Sequence, residues 1–102
     1  MNKKQKAICE KLGWSVQHDE NEIILSQSSP AGEDFFFYVD NKKFAENVSE
    51  FAEEFDPDEH AEMWVRCMHS VRGVPQSIRI LIDDADAIKE MLTELSEQIN
   101  NL

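Results

Sequence analysis

Three histidines and two cysteines are the side chains of this sequence that most readily suggest a metal site. Of these, His60, Cys67 and His69 lie close together in the chain. A structural zinc site needs ligands paired at short spacing and a fourth ligand nearby. At 100° per residue, His60 and Cys67 share one face of a helix, but His69 lies about 200° away from Cys67. These three side chains cannot converge on one ion, so we expect no metal and interpret His60 as a half-buried residue near a helix start.

Cysteine-based and carboxylate-based catalysis are also disfavoured. A catalytic thiolate needs an exposed position and an activating base, whereas Cys67 lies on a predicted apolar face without a cationic neighbour. A pair of carboxyl groups with divergent pKa values needs one buried member, and no acidic residue is marked as buried. The sequence contains no phosphate loop, nucleophile elbow or dinucleotide fingerprint. We therefore expect no enzyme and no cofactor.

Acidic charge is the most unusual property of the chain. The net charge is −11, and the segment from Phe44 to Val65 has eight carboxylates without a Lys or Arg. A field of that sign repels nucleic acid and attracts basic partners. The alternative interpretation is that the charge only keeps a small protein in solution.

Many of these carboxylates recur at helical spacing and form two lines. Side chains three or four residues apart on a helix are about 5–6 Å apart, a spacing comparable in scale with successive phosphates of one DNA strand. Such a surface could occupy a nucleic-acid-binding protein, although a solvated helix face explains the same pattern. The predicted partner-binding residues are Glu46, Glu50 and Glu53 in one line and Asp83, Asp86, Glu90, Glu94 and Glu97 in the other.

The first half of the chain predicts a helix and three strands. The helix runs from Lys3 to Leu12 and ends at Gly13, a natural stop. Trp14–His18 and Glu22–Gln27 flank a polar turn, which is typical of a hairpin. Phe35–Val39 is aromatic almost throughout, which predicts a strand that is central or covered on both faces. The expected sheet is an antiparallel meander with the second strand in the middle.

Two amphipathic helices are predicted next. Asp40 and Asn41 are candidate caps for the first, whose apolar residues step by four, three and four. Asp56 and Pro57 then begin a second helix, with Asp as the N-cap and Pro at the first helical position. This helix is expected to extend to about Ser70 and to bury His60, Met63, Trp64 and Cys67.

A final long helix is predicted from Pro75 almost to the end of the chain, after a break at residues 72–75. Its apolar residues alternate three and four apart from Ile78 to Leu102. This seam can pack against neighbouring helices, or it can pair with a second chain as a short coiled coil. Asp83 and Asp84 could instead cap a new helix, so a break near Leu81–Asp84 is an alternative.

Length and composition predict one folded domain over residues 1–102. With 41% hydrophobic residues the chain can bury a modest core. It contains no apolar run of about 18 residues, which a membrane span needs. No apolar segment follows the basic start, and the two cysteines are predicted to be buried thiols. We expect a cytoplasmic protein.

Four segments resemble a group of short proteins encoded in bacterial genomes, phages and integrated mobile elements. The segments are Leu12–Trp14, Ser29–Phe35, Phe55–Trp64 and Gly73–Ala85. The FDPDEHAEMW segment is the most specific of them. No activity, cofactor or catalytic residue is attached to that group, so the resemblance implies only a setting: a small cytoplasmic protein carried by a mobile element. That setting favours an inhibitor of a host defence nuclease, such as an anti-CRISPR protein.

Together these patterns predict an α+β domain with a short helix, a three-stranded antiparallel meander and three helices packed on one face of the sheet. Its predicted core contains the Phe35–Val39 strand, the face from Phe44 to Phe55, Trp64 and the seam from Ile78 to Leu95. The predicted function is a non-enzymatic, acidic protein-binding module, with a possible homodimer through the last helix. The alternative function is a nucleic-acid mimic that occupies the basic groove of a nuclease or another defence protein. Neither function includes direct binding to nucleic acid or a membrane.

Overall fold

The computed structural model describes residues 1–67 and 78–102, except for the side chains of Cys67 and Ile78. The described chain has a short helix, a three-stranded antiparallel sheet and three further helices, so the predicted α+β architecture is confirmed. The elements are α1 (Lys3–Lys11), β1 (Ser15–Asp19), β2 (Glu22–Ser28), β3 (Asp34–Asp40), α2 (Phe44–Glu54), α3 (Pro57–Cys67) and α4 (Ile78–Asn100).

Local capping explains both ends of α1. The Asn2 side chain accepts a hydrogen bond from the Gln5 backbone at 2.8 Å, and the Gln5 side chain accepts one from the Asn2 backbone at 2.9 Å. The helix stops where Gly13 adopts a φ of 94°. A Cβ at this position would lie 2.5 Å from Nε2 of Gln27. The backbone conformation therefore favours glycine, and a Cβ would also displace the end of the Gln27 side chain.

The three strands form a meander in the order β1-β2-β3, which confirms the central position of β2. β1 and β2 are joined by the tight turn Glu20–Asn21, in which Glu20 has a φ of 55°. Side chains alternate along β3, so Phe35, Phe37 and Val39 are buried while the residues between them are exposed. The prediction that β3 is central or covered on both faces was wrong. It is an edge strand, and the helices cover only one face of the sheet.

α2 begins later than its candidate caps predicted. Oδ1 of Asp40 accepts hydrogen bonds from the backbone N–H groups of Lys42 and Lys43, forming a turn before the helix. The N-cap position is Lys43, which makes no side-chain cap, so Asp40 and Asn41 do not cap α2 directly. The apolar face was predicted correctly. Its Phe51 ring stacks on Phe37 with centroids 4.4 Å apart.

The predicted start of α3 is confirmed, but its predicted buried face is not. Oδ1 of Asp56 accepts a hydrogen bond from the Asp58 backbone at 3.0 Å. Met63 is 57% exposed and Trp64 is only half-buried, whereas Ala61 is 4% exposed. α3 therefore directs Ala61 toward the core. The small size of this side chain permits close packing of the helix. The predicted burial of the Cys67 side chain and the predicted end of this helix near Ser70 lie outside what the structure describes.

α4 is one continuous helix through Leu81–Asp84, so the alternative of a break there was wrong. Its 23 residues give a length of about 35 Å. Asp84 caps no new helix, because its carboxylate is buried and accepts hydrogen bonds from the β2–β3 loop. The predicted start at Pro75, the break at residues 72–75 and the side chain of Ile78 lie outside the described residues.

The core lies between the sheet and the helices. Fourteen buried residues form one cluster, which includes Trp14 from the α1–β1 connection and Cys9 from α1. Trp64, a predicted core residue, is absent from this cluster. The predicted seam of α4 enters the core at Ile88, Leu92, Leu95 and Ile99. Phe51 and Phe55 pack against the cluster from its edge, where each remains partly exposed.

Candidate functional site

Five carboxylates of α4 lie in one line on the exposed side of the helix. The residues are Asp83, Asp86, Glu90, Glu94 and Glu97, and all five are exposed. The opposite side of the same helix buries Ile88, Leu92 and Leu95 in the core. Because this buried seam fixes the rotation of the helix, the acidic line faces away from the sheet. At about 1.5 Å per residue, it spans roughly 21 Å.

The shorter line on α2 is exposed as well. Glu46, Glu50 and Glu53 lie opposite the buried Phe44 and Val48. The structure therefore places both acidic lines on the outer surface of the helical layer. They belong to adjacent helices rather than to one continuous line.

Polar contacts hold α2 and α4 side by side. The hydroxyls of Ser49 and Ser96 are 3.1 Å apart, and Asn100 Nδ2 donates to Ser49 Oγ at 2.7 Å. At the other end of the pair, Nζ of Lys89 donates to the backbone carbonyl of Ala52. α2 and α4 are therefore antiparallel, and the Lys89 side chain is directed at the C-terminal end of α2.

The charge of the two acidic lines is not neutralised by ion pairs within the described parts of the chain. The salt bridges there join Glu33 to His60 and Glu62 to Arg66, and neither includes a residue of the two lines. Lys89, the base that α4 places between them, contacts backbone carbonyls. The surface is therefore open to positive charge from outside the chain.

A groove between α2 and α3 adds a concave, partly apolar feature that was not predicted from the sequence. This open groove has a volume of about 440 Å³. Phe51, Phe55 and Met63 supply its apolar lining, and Glu54, Asp56, Glu59 and His60 complete it. Only the short Phe55–Asp56 connection between two amphipathic helices could have indicated a groove here. An apolar floor among carboxylates suits a side chain that carries both methylene groups and positive charge.

His60 is half-buried, as predicted, and it contacts Glu33. Its Nε2 lies 3.0 Å from each carboxylate oxygen of Glu33. The ring also packs on Phe55, with centroids 5.0 Å apart. Within residues 1–67 and 78–102, no three His, Cys, Asp or Glu side chains are grouped to hold a metal ion. His69, the third member of the trio considered in the sequence, lies outside that range.

Of the last three apolar residues of the α4 seam, which the predicted homodimer would use, two are covered by the chain itself. Leu95 is fully buried, Ile99 is 3% exposed, and Leu102 is 58% exposed. Two of the three residues therefore belong to the monomer core. A homodimer through this end of α4 would have to use a different set of contacts.

The chain matches no protein-family model, no curated protein and no solved structure. The resemblance to mobile-element proteins therefore stays a prediction. Among the helices of the described residues, none is long and apolar enough to cross a membrane.

Proposed function

We propose that this protein is a non-enzymatic binding module that attaches to a basic surface of another protein through the acidic helical layer. The observation that carries the proposal is the line of five exposed carboxylates on α4 without an ion pair in the described chain. The backbone that carries the line is fixed, because the same helix is buried along its opposite side. A fixed backbone loses little conformational freedom on binding, which favours affinity.

Electrostatic attraction makes this proposal testable by charge reversal. Complementary charge accelerates encounter and strengthens binding in a salt-dependent manner. A partner is first captured from a cell extract with the immobilised protein, identified by mass spectrometry and purified. Glu90→Lys with Glu94→Lys should then weaken its binding by at least about 100-fold, because repulsion replaces attraction. Glu46→Lys with Glu50→Lys tests the α2 line in the same way.

A matched control separates the position of the charge from its amount. Glu10→Lys with Glu20→Lys changes the net charge equally at exposed positions outside the helical layer. This control should change affinity by less than about fivefold, while added salt should weaken binding of the unmodified protein. Equal effects of all three double variants, or binding that is insensitive to charge reversal and salt, would contradict the proposal.

The second candidate function is a nucleic-acid mimic that blocks a nuclease or another nucleic-acid-binding defence protein. The continuity of α4 favours it, because an unbroken helix holds the five carboxylates in regular succession. In this case the captured protein itself binds nucleic acid, and duplex DNA or RNA should displace the acidic protein competitively. A partner that binds both ligands at once would exclude mimicry and leave the general binding module.

A further inference from the structure

The face of the sheet opposite the helices is not covered by any described part of the chain, and its centre is aromatic. Phe36 and Tyr38 project from it and are 56% and 53% exposed. Their rings meet edge to face, with centroids 6.0 Å apart. Ile24 pairs with Tyr38 across β2 and β3 and adds a half-buried aliphatic side chain. Large exposed side chains grouped in this way are typical of an interaction surface.

Carboxylates lie at both ends of this uncovered face. The strand register places Asp19, Glu22 and Asp40 side by side across all three strands. Like charges directly opposite one another destabilise a sheet, and none of the three is in an ion pair within the described chain. Asp34 lies at the other end, and the three strands contain no Lys or Arg. The face therefore favours a cationic ligand and disfavours both phosphate groups and a second copy of itself.

A notch at the Asp34 end gives the face a defined pocket. β1 begins at Ser15, which pairs with Ser26 of β2. β2 continues for two residues beyond this pair, to Ser28, and there it pairs with β3 alone. The space left next to β2 encloses about 400 Å³. Asp34 and Phe36 are among the residues that line it.

We propose that the uncovered sheet face binds an extended, arginine-bearing segment of another protein, with one arginine in the notch. Its guanidinium group offers five N–H donors in a plane, which suits a carboxylate such as that of Asp34. The same flat cation stacks on aromatic rings such as that of Phe36. A lysine has a compact ammonium group and satisfies these groups less well. This surface lies across the sheet from the acidic helical layer, so the inference is independent of the proposed function.

The test uses the full chain labelled with ¹⁵N, titrated with N-acetyl-arginine amide and, separately, with N-acetyl-lysine amide. We expect arginine amide to shift the backbone signals of Ser26, Ser28, Asp34 and Phe36. Lysine amide should bind at least about threefold more weakly, because it forms no bidentate contact with a carboxylate. Shifts spread evenly over the acidic surface, equal affinities for the two amides, or no saturable shift would each overturn the proposal.

Variants and a longer probe then test the whole face. The probe is a fluorescein-labelled peptide in which arginine alternates with valine, measured by fluorescence anisotropy. Asp34→Asn and Phe36→Ala should each weaken its binding at least about fivefold, through loss of charge and of ring stacking. Glu10→Gln, a matched loss of one exposed carboxylate on α1, should change it less than twofold.

Two further outcomes distinguish this surface from the other candidates. Glu90→Lys with Glu94→Lys should leave peptide binding within about twofold, since those residues lie on the helical layer. If that variant loses more affinity for the peptide than Asp34→Asn does, the peptide binds to the helices, which would overturn the proposal. Binding of single-stranded DNA, or self-association that Phe36→Ala abolishes, would also overturn it, because each assigns the face a different occupant.

Discussion

The hydroxyl of Ser29 donates a hydrogen bond of 2.6 Å to Oδ2 of Asp84, across 55 positions of sequence. Oδ1 of the same carboxylate accepts the backbone N–H of Ala31 at 2.8 Å. Both Ser29 and Asp84 are buried, at 5% and 8% exposure. The pair therefore ties the β2–β3 loop to α4, beside the notch end of the sheet.

Removal of this carboxylate should destabilise the protein substantially. Asp84→Ala leaves a buried hydroxyl and an N–H group without their acceptor, which should lower the free energy of unfolding by about 2–4 kcal/mol. Asp83→Ala is the matched control: it removes an exposed carboxylate one position away and should stay within about 0.5 kcal/mol. Urea unfolding followed by circular dichroism measures both values. Similar values for the two variants would show that the buried pair contributes nothing specific.

The two tryptophans should differ clearly in how much free energy of unfolding is lost when each is replaced by alanine. Trp14 is 2% exposed and meets the Phe37 ring edge to face at 5.5 Å, so Trp14→Ala should cost about 3–5 kcal/mol. The sequence also placed Trp64 in the core, but this residue is half-buried, and Trp64→Ala should cost only about 1–2 kcal/mol. Chemical unfolding of both variants provides the comparison. A larger loss for Trp64→Ala would contradict the packing described for α3.

Cys9 should be unreactive in the folded protein. Burial is the main reason that the pKa of its thiol is raised from 9.0 to about 11, and the charge of Glu10 adds to the effect. In a Cys67→Ala background, a thiol reagent at pH 8 should label Cys9 only after denaturant is added. Rapid labelling without denaturant would show that the α1 face opens in the native state.

The same pKa shift predicts how stability depends on pH. Between about pH 9 and 11 the folded state retains a thiol proton that the unfolded state loses, so the free energy of unfolding should fall as pH rises. Below pH 9 this contribution is fully present. Cys9→Ala should remove this part of the pH dependence, which urea unfolding at several pH values measures. If the free energy of unfolding falls equally with pH in the unmodified protein and in Cys9→Ala, the decline comes from other titrating groups.

Lys89 should stabilise α2 from outside that helix. Its ammonium group donates to the carbonyl of Ala52, at the negative end of the α2 dipole, and α2 has no base of its own in its last turn. Lys89→Met keeps most of the aliphatic chain and removes the charge, which should cost about 0.5–1.5 kcal/mol. Lys42→Met, an exposed loop substitution, should cost less than about 0.5 kcal/mol. The difference between the stability losses of the two variants should be smaller in 1 M salt. A difference that does not change with salt would show that Lys89 acts through packing and not through its charge.

Local patterns in the sequence were sufficient for the order and type of the elements. The Gly13 stop, the Asp56 cap and the four-three-four spacing on α2 act within a few residues, so their effect survives in any tertiary context that buries the apolar face. The acidic lines could be placed on exposed helix faces for the same reason. Charged groups avoid burial, and helical periodicity then determines which side chains share a side.

Other features depended on contacts between distant segments. An aromatic strand such as β3 carries no local signal that tells whether a second layer covers Phe36 and Tyr38, because that depends on where the helices pack. Asp84 and Asp83 are adjacent and chemically identical, yet only Asp84 meets the β2–β3 loop. The notch beside Asp34 exists because β2 extends two residues beyond Ser26, the residue that pairs with the first residue of β1. Such pairings require the apolar core to close first, since hydrophobic burial supplies the free energy that brings remote polar groups together.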